Sequence, residues 1–201
     1  PSSLAMVLAW SGVAVGPDDV APEVFTPSQK GSLQPAMISA ARRHGRVGYP
    51  IFGPAAMLRE VAAGHPVVVL QNLGLSWIPF WHYAVVIGYD LNAGFVILHS
   101  GDTPRRHLSL GVFDNTWARS DHWALLVLPP DDPPVTATED AYVSAVLGLE
   151  NAGRLQAALK GYQTALRRWP NSFGALMGLG NSHYALGNME AAENVFRLAT
   201  E

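Results

Sequence analysis

The chain of 201 residues is 49% apolar and only 14% charged, with a net charge of −3. A charged fraction so far below the usual roughly 25% describes a chain that folds around a core and argues against disorder. The slight negative charge excludes a general attraction to nucleic acid or anionic lipid, and no apolar run approaches the roughly 20 residues of a membrane-spanning helix. Cysteine is absent, so no disulfide stabilises this chain and no thiol of its own can react.

Pro1-Ser2-Ser3-Leu4-Ala5-Met6-Val7-Leu8-Ala9-Trp10 starts with a proline suited to a first helical turn. Leu4, Val7 and Leu8 fall on one stripe, which predicts a helix that Gly12 ends. A short second helix is predicted around Pro17 to Phe25, with Asp18 and Asp19 at its positive end. Gly31 to Pro35 lead into a third, where Met37, Ile38 and Ala41 precede the basic end Arg42-Arg43-His44-Gly45. A fourth runs from Gly53-Pro54 through Met57, Leu58 and Val61 to Gly64.

From His65 the period changes from 3.6 to that of strands. Strands are predicted at Pro66–Gln71, Trp81–Asp90, Phe95–Ser100, Arg106–Leu110 and Trp123–Leu128, with a loop over 72–80 and a hairpin turn at Asp90–Gly94. Helices gathered before strands joined by tight turns predict an α+β fold with a mostly antiparallel sheet. Alternation puts His82, Ala84, Val86 and Gly88 on one face of the second strand. A histidine at the entry to such a strand is either a hydrogen-bonded structural residue or a base awaiting a nucleophile. His44, His65 and His107 show no metal-ligand spacing, so no metal or cofactor is expected.

Pro129-Pro130-Asp131-Asp132-Pro133-Pro134 breaks helix and strand alike and reads as a linker, over 129–137. Beyond it Ala158, Tyr162 and Ala165 recur as Ala192, Phe196 and Ala199 at an offset of 34 residues. That small-aromatic-small pattern, with Pro170 closing the first unit, resembles the tetratricopeptide repeat. Leu179 and Gly180 match its first helix in the second unit, whereas the first unit has Ala145 and Val146 there. The resemblance implies all-α helical hairpins over 138–201, about two repeats with the second incomplete, and a protein partner on their surface.

The segment 1–128 carries two further motifs, Pro1-Ser2-Ser3-Leu4-Ala5-Met6 and His82-Tyr83-Ala84-Val85-Val86-Ile87-Gly88-Tyr89-Asp90. Together they resemble the papain-like cysteine peptidases, and within them the bacteriocin-processing, double-glycine-leader peptidase-like family. That family opens its first helix with Cys-Gly-Pro-x-x-Leu-Ala-Met, so the resemblance implies a nucleophilic cysteine two residues ahead of Pro1. A helix N-terminus favours the thiolate there, and His82 serves as its acid and base. On that expectation Pro1 borders a cleft beside His82. The family orients its histidine through an Asp-Pro pair, and aligning the hairpins puts His99 and Ser100 at those two positions. Ser100 and Asp102 are therefore the candidates for the third member. Asp90, at the far end of the strand, is too distant to orient His82. Trp77, Phe80 and Trp81 are candidate walls of a substrate cleft. Asn72 is expected to shape the loop, and His122 to be a surface or structural residue.

The implied activity is cleavage of a peptide or protein substrate, with the repeats recruiting a partner. As an alternative, a peptidase-like domain without catalysis binds peptides or proteins, or the repeats serve a purely structural assembly. The resemblance also suggests a bacterial periplasmic or exported protein.

Overall fold

The computed structural model describes residues 1–27, 31–75 and 77–200. The chain runs through helices α1 (Ser2–Trp10) and α2 (Pro17–Val24), a small ladder of β1 (Phe25–Thr26) with β2 (Gly31–Ser32), and helix α3 (Gln34–Arg43). Strand β3 (Val47–Phe52) and helix α4 (Pro54–Ala62) follow, then β4 (Val67–Asn72), β5 (Trp81–Asp90), β6 (Phe95–Ser100) and β7 (Thr103–Ser109). Helix α5 (Leu110–Trp117) and a 3₁₀ turn, Ala118–Ser120, lead to β8 (Trp123–Leu128). Helices α6 (Glu139–Asn151), α7 (Leu155–Arg168), α8 (Phe173–Ala185) and α9 (Met189–Leu198) complete the described chain.

Strands β3 to β8 form one six-stranded antiparallel sheet in the order β3-β8-β4-β5-β6-β7. Both faces are covered, and the alternation of each strand assigns its side chains. In β8, Ala124, Leu126 and Leu128 enter one core while Trp123, Leu125 and Val127 enter the other. That is why Trp123-Ala124-Leu125-Leu126-Val127-Leu128 is apolar throughout. Helices α1 to α3 cover the second face with Leu4, Leu8, Val20 and Met37. Helices α4 and α5 cover the first with Met57, Phe113 and Trp117, and the same cluster continues into α6–α8 through Tyr142, Leu149, Tyr162 and Leu179.

Besides the short β1–β2 ladder and the 3₁₀ turn, strand β3 and helix α5 went unpredicted. Strand β3 contains Gly48 and Pro50, both of which weaken a strand signal. Proline is tolerated because β3 is an edge strand, and Gly48 is needed because a Cβ there would meet the Ile38 carbonyl oxygen at 3.2 Å. Helix α5 begins where the last residue of a strand was expected, at Leu110. The strand alternation of β5 also breaks: a bulge between Val86 and Gly88 takes Gly88 out of step with His82, Ala84 and Val86.

The segment 129–137 is bound on both sides. Fully buried Glu60 (0% exposed), on α4, accepts from the Thr136 amide at 2.7 Å, the Val135 amide at 3.3 Å and the Thr136 hydroxyl. On the other side Tyr142 Oη donates to the Pro130 carbonyl at 2.8 Å, Arg168 Nη1 to that of Pro134 at 2.8 Å, and Lys160 pairs with Asp131 at 2.8 Å. The segment is tethered along its length, because the prolines leave carbonyls and two amides that neighbouring side chains satisfy.

In the repeat segment the small residue that lets two helices close has moved between units. In the second, Gly180 of α8 lies beneath Phe196, whose ring a Cβ would meet at 2.3 Å. In the first, Val146 stands at the matching place and Gly161 of α7 supplies the gap, with Val146 at 2.8 Å from a Cβ there. Gly178 faces Tyr162 at 2.2 Å, and that ring is buried and tied through its hydroxyl to Glu150 at 2.9 Å. Gly178→Ala is therefore expected to cost about 1–3 kcal/mol by overpacking. Gly180→Ala should cost less, because Phe196 is only partly buried and has room to move. Urea unfolding of the two variants checks the order.

Candidate active-site cleft

Helix α1 and strand β5 meet at their beginnings. Ser3 Oγ, in the first turn of α1, donates to the Tyr83 carbonyl at 2.9 Å, latching the positive end of the helix beside His82. Pro1 and His82 line the same cleft, of about 930 Å³. Tyr83 points the other way, into the core under α1, where its hydroxyl donates to the Ser32 carbonyl at 3.0 Å. Burial pushes the Tyr83 phenol well above its ordinary range.

His82 is opposite Gln71 in the β4–β5 ladder, and the Gln71 amide donates to Thr116 Oγ1 at 2.7 Å. His82 Nε2 shares a hydrogen bond of 2.9 Å with Ser100 Oγ. Burial, and secondarily the Arg106 guanidinium, hold the His82 imidazole below its ordinary pKa, so the neutral base is favoured. With Nε2 engaged, Nδ1 is the nitrogen left for proton transfer.

Of the two candidates for the third position, Ser100 reaches His82, while Asp102 is exposed in the turn after β6. Among the described residues no carboxylate accounts for the His82 shift, which comes from burial and Arg106. His99, aligned from sequence with the family's aspartate, pairs with Val85 and so projects from the opposite face. The bulge decides this. Continuing the pairing of Asp90 with Phe95 and Gly88 with Ile97 would set His99 opposite Val86, on the His82 face. Instead Leu98 sits opposite Val86 and Ser100 opposite Ala84. Asp90 caps its own turn by accepting from the Ala93 amide at 2.9 Å.

Of the predicted aromatic walls, Phe80 and Trp81 line the cleft. Trp77 does not; it stands at the tip of the loop, 74% exposed. Of the loop predicted over 72–80, Ser76 lies outside the described residues. Asn72 does shape this loop, its Oδ1 accepting from the Gly74 and Phe80 amides at 2.9 Å each. Gly74 has no room for a Cβ, which would meet the Ile78 carbonyl oxygen at 2.3 Å. Arg119 Nη1 fixes the same loop by donating to the carbonyls of Asn72, at 3.1 Å, and Gly74.

Arg119, Ser120 and Asp121 also line the cleft, and sequence reasoning passed over all three. They sit between a helix and a strand with no motif around them. The one local signal is Asp121-His122, where both residues take positive φ, +55° and +53°. His122 is structural, bonded to Asp114 Oδ1 at 2.8 Å with its ring edge-on to Trp117. No three His, Cys, Asp or Glu side chains among the described residues are grouped as metal ligands.

Residues 145–201 match the tetratricopeptide repeat family. Among solved structures, the chain is similar to the peptidase domain of Streptococcus ComA, a bi-functional ABC transporter involved in a quorum-sensing pathway. The two share 18% identity at a TM-score of 0.50, over 63% of this chain and 88% of that one, a likeness of fold. No curated protein matches the chain. Residues 1–123, more than half of the sequence, match the model of the Peptidase_C39 like family, and the chain belongs to that family.

Proposed function

We propose that residues 1–128 are a cysteine-peptidase-type domain that cleaves a peptide or protein, and that residues 138–201, joined through 129–137, hold a partner. The observation that carries this reading is the latch between Ser3 and Tyr83, which sets the start of α1 and His82 on one cleft. A cysteine two residues ahead of Pro1, as the family motif has it, would meet both the helix dipole and the imidazole. Its thiol passes a proton to His82, the thiolate adds to the scissile carbonyl, the C–N bond breaks, and His82 gives that proton to the departing amine. Water then loses a proton to His82 and attacks the thioester, releasing the acid and the thiol.

Because its pKa is lowered, His82 keeps its base form as pH falls through 6.5. In this chain, with no thiolate beside it, the His82 titration midpoint is therefore expected below the ordinary histidine value. Ser100→Asp should move it upward, since a carboxylate on Nε2 favours the imidazolium. Histidine NMR titration reads the shift directly, and an unchanged pKa would mean that Ser100 does not contact the ring.

The test of the function is a chain with Cys-Gly placed ahead of Pro1, incubated with a peptide library and read by mass spectrometry. Discrete cleavage products, lost in the Cys→Ser form, support the proposal. A second reading has its own observation: His82 meets a hydroxyl where the family has a carboxylate, and burial disfavours the imidazolium. A domain that binds peptides in this cleft without cutting them would return no products while still retaining ligand.

A further inference from the structure

The cleft does not end at His82. A second cavity of about 380 Å³ adjoins it, and Gln34, Ser120 and Asp121 line both. Its far walls are apolar: Ile38, Pro50, Trp123 and Phe52, the last 60% exposed. A groove of this shape admits an extended chain, and its electrostatics are simple. Arg119 donates to the Asn72 and Gly74 carbonyls. Asp121, at the junction, is exposed and forms no ion pair among the described residues. Apart from the Pro1 amino group, these are the charged groups of the lining among the described residues.

The Asp121 carboxylate is held by its backbone. The Asp121 amide donates to the Ala118 carbonyl at 3.0 Å, and the next carbonyl, of His122, accepts from Gly53 at 3.2 Å. Its φ of +55° is one that Asp and Asn tolerate better than longer side chains.

We propose that Asp121 is a specificity residue of this groove, receiving a lysine or arginine of the bound peptide next to a large apolar side chain seated between Ile38, Phe52 and Trp123. The chemistry fits on both counts. A long basic side chain lays its methylene stem along the apolar wall and brings its cation to an unpaired carboxylate. The neighbouring apolar residue covers Phe52, which the fold leaves in water. This inference rests on the reading of the His82 cleft as a peptide site and names the peptide it takes.

The chain as it stands suffices for the test, since binding needs no nucleophile. Three fluorescein-labelled heptapeptide pools, with Lys, Ala or Glu fixed at the centre and Phe beside it, are titrated by anisotropy. The Lys pool is expected to bind roughly fivefold more tightly than the Ala pool, the weight of a part-exposed ion pair, and the Glu pool more weakly than either. Asp121→Asn, which keeps the αL-tolerant shape and removes the charge, should erase the Lys preference and leave the Ala pool unchanged. Raising salt should narrow the preference in the parent chain alone. Equal binding of the Lys and Ala pools, or a Lys preference that survives Asp121→Asn, overturns the assignment to Asp121 and leaves the cleft reading intact. Binding of none of the pools, or binding indifferent to Phe80→Ala and Trp81→Ala, overturns the cleft reading and the assignment with it.

Discussion

Glu60→Ala is expected to destabilise the chain by about 3–5 kcal/mol, the loss typical when one partner of a buried charge pair is removed. The carboxylate has 0% exposure and accepts from His65 Nδ1 at 2.6 Å besides the Thr136 and Val135 donors. Its removal leaves buried His65 without its partner and frees the half-buried Thr136 donors. The signs on pH follow from the two partners. Hydrogen bonding to Glu60 raises the His65 pKa against its burial, so this contribution is complete below pH 6.5 and is lost as pH rises through the raised value. Burial alone would raise Glu60, but hydrogen bonds from His65 and Thr136 outweigh it and lower its pKa. Its contribution is present above 4.5 and is lost as pH falls through the lowered value. Asp132, with Oδ1 at 3.4 Å from His65 Nε2, adds to the pull on the imidazolium, and the Trp10 ring packs edge-on against it. Stability from this cluster should therefore be greatest between about pH 4.5 and 6.5 and decline toward alkaline pH. Glu60→Gln, which keeps an acceptor for Thr136, should cost less than Glu60→Ala and flatten the alkaline decline. Urea midpoints across pH, with hydrogen exchange at 131–137, measure both. A stability profile for Glu60→Gln as steep as the parent's would assign the pH dependence elsewhere.

His82→Ala, in a chain with Cys-Gly placed ahead of Pro1, is expected to lower kcat by about 10²–10⁴, the range of a lost general acid and base. The fold should hold, because His82 lies at the strand's entry and is only half-buried, while Ala84, Val85 and Val86 carry the packing. KM should change less than kcat, since proton transfer acts in the transition state. Ser100→Ala should give a smaller loss, because a hydroxyl orients the ring without supplying charge. Steady-state kinetics separate the two. A His82→Ala variant as active as the parent would leave the Ser3–Tyr83 latch a matter of packing alone.

The sequence showed the fold where a single periodicity governs a stretch. Val67–Gln71, Trp81–Asp90 and Trp123–Leu128 are apolar enough to announce strands, and the repeat of Ala158, Tyr162 and Ala165 at 34 residues announces paired helices. Strand β3 was hidden by Gly48 and Pro50, residues an edge strand tolerates and a strand pattern does not. The segment 129–137 looked unstructured because its order comes from distant partners, Glu60, Tyr142 and Arg168, which proline-rich composition cannot reveal. The site was legible at His82 and at the start of α1. Its neighbour on Nε2, Ser100, was among the candidates from the hairpin alignment, but the bulge at Val86–Gly88 that puts it rather than His99 on the His82 face leaves no mark in the pattern. Asp121 had no motif around it and is placed by the turn between α5 and β8.

The most direct measurement is alkylation by iodoacetamide of the chain with Cys-Gly ahead of Pro1, followed by intact mass as a function of pH. The account predicts a single modification that proceeds near pH 6, well below the ordinary thiol range of about 8.5, and slows sharply in His82→Ala. Labelling that needs alkaline pH, or that is indifferent to His82→Ala, would contradict a thiol activated by the helix and the imidazole.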